Sequence, residues 1–318
     1  MTTITDFTAR PLERALPGVA LRGDSLAWNG REIPIRGGIV RFRDDDGYNA
    51  PFAQQWKAFA REQIDAANGT GITRARVLRE TGWALDRMAG ELVLEAGCGA
   101  GRFTQILAET GADLVSFDYS SAVEVAAENN ARFENVAFAQ ADLLDMPFPD
   151  GVFDRVFCHG VIQHTPDPAA AFRALDRVLK PGGLLSFDVY LKDGSVQVWK
   201  AKYLWRPITT RMDRDRLLSF LQWFIPKWLP IDTAIKRIPV LGRYLGSVVP
   251  CMNYYYLPLS KAQKVRWAIM DTFDALAPAY DNPVTLEEVR QWFQSAGYER
   301  FEVREGGNGV VGNGVKPR

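Results

Sequence analysis

The run LVLEAGCGAGRF, Leu92 to Phe103, places one acid, Glu95, ahead of Gly97, Gly99 and Gly101. Glycines at alternate positions let the backbone turn tightly and come close to a ligand, and a helix starting at Arg102 adds free N–H donors. Asp118 stands 118 − 97 = 21 residues after the first of these glycines. That is the distance at which an acid can accept both hydroxyls of a ribose. Asp142, in AQADLLDMPF, follows the next apolar run, where a carboxylate can meet the exocyclic amine of a purine. The chain has two histidines, His159 and His164, and both fall in the segment FDRVFCHGVIQHTPDP. Histidine titrates near neutrality, so either can act as a base or orient an acceptor. Each residue also has a plainer reading: tight turns for the glycines, a strand-end cap for Asp118, a turn for Asp142, packing for the histidines.

A dinucleotide fingerprint reads G-x-G-x-x-G, but the position that needs its third glycine is Arg102. An acid at position 95 repels a pyrophosphate and suits a cationic ligand, which counts against a nicotinamide-dependent oxidoreductase.

These residues need a frame that brings strand ends together. From Glu91 onward, short apolar runs (LVLEAG, LVSFDYS, VAFAQAD, FDRVFCHG, LLSFDVYL) alternate with helical stretches of about ten residues, the pattern of a parallel sheet with crossover helices. Residues 19–43 read as a hairpin unit with its clearest turn at Trp28-Asn29-Gly30-Arg31. Helices are expected from Pro51, with Phe52, Trp56, Phe59 and Ile64 on one face, and over Thr73–Thr81. Residues 195–280 read as amphipathic helices broken at Pro207, Pro226, Pro230, Pro239 and Pro250. TLEEVRQWFQSAGY is a capped helix, and RFEVREGGNGVVGNGVK a closing hairpin. The expected organisation is an N-terminal hairpin unit (1–45), a helical lid (46–90), a ligand-binding core (91–194), a helical cap (195–280) and a C-terminal helix and hairpin (281–318).

Glu95-Ala96-Gly97-Cys98-Gly99-Ala100-Gly101, Asp118, Ala141-Asp142, the run Phe153 to Pro168 and LKPGG at Leu179 to Gly183 resemble, in order and spacing, the motifs of class I S-adenosylmethionine-dependent methyltransferases, specifically over Glu91 to Tyr190. The flanks RVLRETGW and TFDALAPAYDNPVTLEEVRQWFQSAGY are similar to those of bacterial type-11 methyltransferases. The resemblance implies a Rossmann-like α/β fold with a seven-stranded sheet, and S-adenosylmethionine as donor with S-adenosylhomocysteine as product. It implies donor contacts from Glu95, Gly97, Cys98, Gly99, Gly101, Asp118, Tyr119, Ser120, Asp142, Leu143 and His159, with His159 and His164 as catalytic candidates. IPIRGGIVRF is similar to a zinc-ribbon-like unit but lacks its paired cysteines, so no metal is expected.

Basic and acidic residues balance at 38 each, so no net field draws the chain to nucleic acid. The one candidate basic patch, KAKYLWRPITTRMDRDR, is interrupted by acids. Three scattered cysteines form no disulfide framework. The N-terminal MTTITDFTARPLER has no apolar targeting core, and no stretch reaches the ~18 apolar residues of a spanning helix. A soluble protein in a reducing cytoplasm is expected. The expected reaction is methyl transfer to a small-molecule acceptor, with an oxygen atom of a natural-product, sugar or isoprenoid-like compound favoured over nitrogen or carbon. The rivals are a tRNA or protein methyltransferase and a non-catalytic module that keeps the donor fold. Aromatics in the insertion (Trp199, Trp205, Trp223, Trp228, Tyr254-Tyr255-Tyr256) can line an acceptor pocket or form a cap's core. LLSFLQWFIPKWLPIDTAIKRIPVLGRYLG can lie on a bilayer and receive a lipid-linked acceptor; electroneutrality favours an amphipathic cap instead. Oligomeric state is not legible in the sequence.

Overall fold

The computed structural model describes residues 10–192, 201–240, 242, 245–246 and 248–318. Four strands build the centre: β5 (Leu92–Ala96), β6 (Asp113–Asp118), β7 (Val136–Gln140) and β8 (Phe153–Cys158). The first three are buried at every position, as strands covered on both faces must be. β9 (Leu179–Val189) extends them. The crossovers are α5 (Arg102–Ala108), α6 (Ala122–Asn129) and α7 (Pro168–Val178), the last capped by Asp167 with proline in its first turn.

The chain runs β5, β6, β7 outward to one side, then returns to place β8 and β9 on the other flank of β5. This reversal opens a crevice beyond the carboxyl ends of β5 and β8, the position where open α/β sheets take ligands. The glycine run follows β5 and the histidine segment follows β8, so the topology brings both to one place.

The sheet holds eleven strands, in the order β1-β2-β3-β4-β7-β6-β5-β8-β9-β11-β10, where seven were expected. The N-terminal unit, β1 (Ala20–Arg22), β2 (Ser25–Trp28), β3 (Arg31–Arg36) and β4 (Ile39–Arg41), continues the same sheet. β4 pairs in parallel with β7 through Ile39↔Phe138, Val40↔Ala139 and Arg41↔Gln140. Burial of Ile39 and Val40 and cover for an otherwise open β7 edge account for this extension. The turn at Asn29-Gly30 has φ of 50° and 73°, as the sequence required. At the other edge, β10 (Arg300–Glu305) and β11 (Val310–Val315) form the expected hairpin, and β11 pairs antiparallel with β9.

Lys180-Pro181-Gly182-Gly183, expected between a helix and a strand, lies inside β9, where the register against β8 shifts between Phe153 and Arg155.

After α1 (Arg10–Ala15), helix α2 (Ala50–Ala58) starts near Pro51 as expected but ends before Phe59 and Ile64, which were expected on its face. A short helical turn, α3 (Asp65–Asn68), follows, and α4 (Ile72–Thr81) matches the second expected helix. Pro207, however, lies inside α8 (Ala201–Thr209), and Pro226 and Pro230 lie inside the 23-residue α9 (Arg214–Lys236). These three prolines do not break the helices. Pro226 and Pro230 are exposed, so water can reach the carbonyls they leave unbonded, while Leu217, Leu221, Ile225 and Leu229 on the opposite side are buried with Trp267 and Phe273 of α10 (Lys261–Leu276). Phe59, just after α2, belongs to the same cluster and joins the N-terminal helices to this one. A capping box, Thr285 with Glu288, starts α11 (Leu286–Ser295).

Candidate functional site

Gly97, Gly99 and Gly101 all have positive φ, at 81°, 54° and 81°. Side chains are excluded here by neighbours as well as by backbone. A Cβ at Gly97 would meet Val161 at 2.3 Å, at Gly99 the Trp56 indole at 2.8 Å, and at Gly101 the Asn130 amide at 2.4 Å. The loop is tied down by its own N–H groups. Those of Gly97 and Cys98 donate to the Phe117 carbonyl at 2.8 and 2.9 Å, and that of Gly99 donates to Asp118 Oδ2 at 2.9 Å. The other carboxylate oxygen of Asp118 accepts from the backbone and hydroxyl of Ser120, at 2.9 and 2.8 Å. Burial pushes the Asp118 carboxyl up against these bonds, which favour the ionised form.

Of the residues named from the sequence, Gly97, Cys98, Gly99, Asp118, Tyr119, Leu143, His159 and His164 line one cavity. Glu95, Gly101, Ser120 and Asp142 are not among the residues that line it. Glu95 lies beneath the loop, bonded by the hydroxyls of Ser116 (2.8 Å) and Thr104; burial raises its carboxyl to about 7 despite them. Asp142 accepts from the Leu144 N–H at 2.8 Å and lies 3.4 Å from Arg43 Nη1. The Arg43 guanidinium also covers the Tyr119 ring at 3.4 Å, and Tyr48 packs on that ring at 4.6 Å.

The two histidines, five residues apart, have unlike surroundings. His159 is buried flat on Phe157, with ring centroids 4.3 Å apart. Its Nε2 lies 2.9 Å from the Ser186 hydroxyl, and its Nδ1 is 3.3 Å from both Glu80 and Asp188. Arg76 bridges the same two carboxylates. Burial works against ionisation of Asp188, but Arg76 and His159 outweigh it and hold its carboxyl below the usual range. The same neighbours bring Glu80 to about 2. Glu80, His159 and Asp188 have the composition of a metal site, but Arg76 already supplies the cation between the acids.

His164 meets the Tyr280 carbonyl through Nδ1 at 3.0 Å. A carbonyl only accepts, so Nδ1 carries the proton and Nε2 keeps its lone pair. Burial lowers the pKa of this ring from its ordinary 6.5, favouring the neutral form. The Tyr190 ring packs edge-on at 5.4 Å, and the Tyr190 hydroxyl donates to Asp274 Oδ2 at 3.1 Å.

The sequence reading expected a lid over 46–90 but named no residue of the roof as touching the site. Tyr48, Phe52 and Trp56 close it from the N-terminal side, and Asp274 of α10 joins from the other. Arg102 also reaches the cavity, bonded to Gln63 and lying 4.4 Å from the Phe103 ring centroid; burial lowers its pKa to about 10. No ion-pair partner of Arg102 is found among the described residues. Nearby Asp271 is raised by burial to about 7 against the bond from the Tyr254 hydroxyl. Arg102 was legible as the residue in place of a third glycine; Trp56 carried only helical periodicity, and Asp271, Asp274 and Tyr280 were legible as cap candidates with no role attached.

A strand order that reverses at β5, a tethered loop of three positive-φ glycines at the reversal and an acid closing the next strand define a Rossmann-like α/β protein with a ligand site at the switch point. Residues 94–187 match the family model described as a methyltransferase domain. The ubiquinone biosynthesis O-methyltransferase of Methylococcus capsulatus is 34% identical over 127 residues, 38% of this chain and 54% of its own. The demethylmenaquinone methyltransferase of Clavibacter sepedonicus is 37% identical over 163 residues, 44% of this chain and 66% of its own. A solved S-adenosylmethionine-dependent methyltransferase from Methanosarcina mazei covers 73% of this chain and 94% of its own at 17% identity and a TM-score of 0.43. The chain thus spans about half to two thirds of the curated relatives it matches. Residues 94–187 thus match a methyltransferase domain, and the chain is similar over part of its length to named methyltransferases.

Proposed function

We propose that this chain transfers the methyl group of S-adenosylmethionine to a hydroxyl oxygen of a small, isoprenoid-like acceptor, with His164 as the base. The observation that carries the reading is the His164 tautomer: Nδ1–H is fixed on a carbonyl, while Nε2 has no hydrogen-bond partner among the described residues, on a ring that lines the cavity. A hydroxyl acceptor must lose its proton as the oxygen–carbon bond forms, and a neutral imidazole in this state can take it.

The residues fit the donor. Asp118 suits its ribose hydroxyls, the glycine loop can accept close approach, and Arg102 can meet the donor's carboxylate. Tyr119, Leu143 and Asp142 lie on the adenine side, with Glu95, Gly101 and Ser120 holding the loop and Asp118 from behind. The donor supplies an already activated methyl group, so the chain's own work is alignment, exclusion of water and proton removal. Arg43 and Tyr48 cover Tyr119, so adenine stacking there requires this strap to withdraw. Residues 46–90 then act as lid over the core of 91–194 and residues 195–280 as cap. His159, with its ring nitrogens facing Ser186, Glu80 and Asp188, holds the wall and the start of the 160s loop.

The named quinone methyltransferases among its relatives support a small acceptor of isoprenoid type. Calorimetric titration with S-adenosylhomocysteine, with NADH as control, tests the donor. Methyl transfer to hydroxylated isoprenoid acceptors, compared between wild type and His164→Ala, tests the base. Binding of neither nucleotide, or undiminished turnover in the variant, would sink the corresponding half.

A further inference from the structure

Helix α8 has its charges on the side that faces the protein. Lys202 Nζ lies 2.7 Å from Asp281, whose side chain is 2% exposed, and Arg206 donates to the carbonyls of Ala275 and Pro278 at 3.2 and 2.8 Å. Thr209 is buried on the Leu276 carbonyl at 2.9 Å. The outward face presents Leu204, Trp205 and Ile208, which are 50, 45 and 61% exposed. A helix with charge inward and leucine, tryptophan and isoleucine outward is the reverse of what water selects.

Helix α9 continues the surface. Its inner residues pack with α10, while Phe220, Trp223 and Ile231 stand 47, 59 and 50% exposed. Among the described residues, eleven of the sixteen exposed large apolar side chains fall between positions 204 and 248. Such a concentration marks a contact surface.

The charge of this region sets it apart from the balanced whole. Residues 201–250 hold nine basic and three acidic residues, so 9 − 3 = +6 in a chain whose total is zero. Lys202, Arg206 and Lys236 are spent on Asp281 and Asp232. Arg211, Arg214, Arg216, Lys227 and Arg237 remain exposed against the exposed Asp213 and Asp215. Lys227 Nζ sits 3.8 Å over the Trp223 ring, a cation at the rim of an exposed aromatic.

We propose that the outer face of α8 and α9 docks on an anionic lipid bilayer, its tryptophans and leucine entering the interface and its arginines meeting the headgroups. Among the described residues no helix is long and apolar enough to cross a membrane, so the contact lies along the surface. A second copy of the chain fits the face less well, because a twofold contact sets the same basic patch against itself. The inner face of α9 packs with α10, which carries Asp274 into the cavity, so the docked face and the acceptor side of the site share one helical layer.

Flotation of the full chain with phosphatidylcholine vesicles, with and without phosphatidylglycerol, tests this directly. At low salt we expect the protein to float with the anionic vesicles, and binding to fall about tenfold or more without phosphatidylglycerol or at high salt. The Trp205→Ser/Ile208→Ser/Trp223→Ser variant should stay unbound while keeping its melting transition and its S-adenosylhomocysteine affinity. Should that variant not fold, Arg211→Glu/Arg216→Glu/Lys227→Glu leaves the apolar face intact and should lose the preference for anionic vesicles. Wild-type protein that never floats, or variants that float like wild type, would overturn the proposal. So would a wild-type dimer in sedimentation equilibrium that the serine variant turns into monomer, since a second copy would then cover the face.

Discussion

The floor of the cavity is made by backbone and its roof by side chains. On the floor, the glycine loop, the end of β6 and Asp118 are joined by N–H bonds of 2.8 to 2.9 Å between neighbouring strands. Above it, Tyr48, Phe52 and Trp56, with Arg43 over Tyr119, come from one stretch of chain and Asp274 from another, and they reach the site through rings, a guanidinium and a carboxylate. A floor of this kind is set once the sheet has formed; a roof of this kind can open without breaking a strand. On the proposed reading the difference divides the labour, with fixed geometry for the donor and adjustable geometry for what enters.

The sharpest way to break the comparison is to remove the floor's acid. Asp118→Ala leaves the Gly99 and Ser120 donors unmatched and removes the ribose acceptor, so S-adenosylhomocysteine affinity should fall by about a hundredfold or more by calorimetry. His164→Ala should lower turnover about a hundred- to a thousandfold with donor affinity unchanged. The wild-type rate should rise with pH along a limb whose midpoint lies below 6.5, and that limb should vanish in the variant.

Two buried acids sharpen the contrast further through stability. Glu80 is depressed from 4.5 to about 2, so its contribution is present above pH 4.5 and lost as pH falls towards 2. Glu95 is raised from 4.5 to about 7, so its contribution is present below 4.5 and lost as pH rises through 7. Chemical denaturation should therefore show Glu95→Gln more stable than wild type at pH 8, by on the order of 1–3 kcal/mol, and no different at pH 4. Glu80→Gln should be less stable at neutral pH, because Arg76 and His159 lose a charged partner. The smallest effect belongs to the roof. Arg43→Ala frees the Tyr119 face and should tighten S-adenosylhomocysteine binding by a few-fold; weaker binding would mean that Arg43 holds the ligand.

The floor was legible in the sequence residue by residue, the roof only as a lid over 46–90 with no residue assigned to it. Leu92 to Ala96 and Asp113 to Asp118 are short runs buried at every position, and the glycines between them admit few conformations. His159 and His164 look equivalent in one segment, yet what separates them lies at Glu80, Asp188 and Tyr280, far along the chain. Pro226 and Pro230 signal a break that the buried leucines of α9 override. The apolar outer side of α8 was hidden by a whole-chain charge of zero, a sum that conceals a basic region of +6.

The parallel pairing of β4 with β7 also sets a schedule for synthesis. Ile39 must wait for Phe138, 138 − 39 = 99 residues later, before its strand has a partner. At about 5–20 residues per second that is on the order of ten seconds on the ribosome with an apolar edge uncovered. The amino-terminal strands therefore dock late, only after β5, β6 and β7 have emerged.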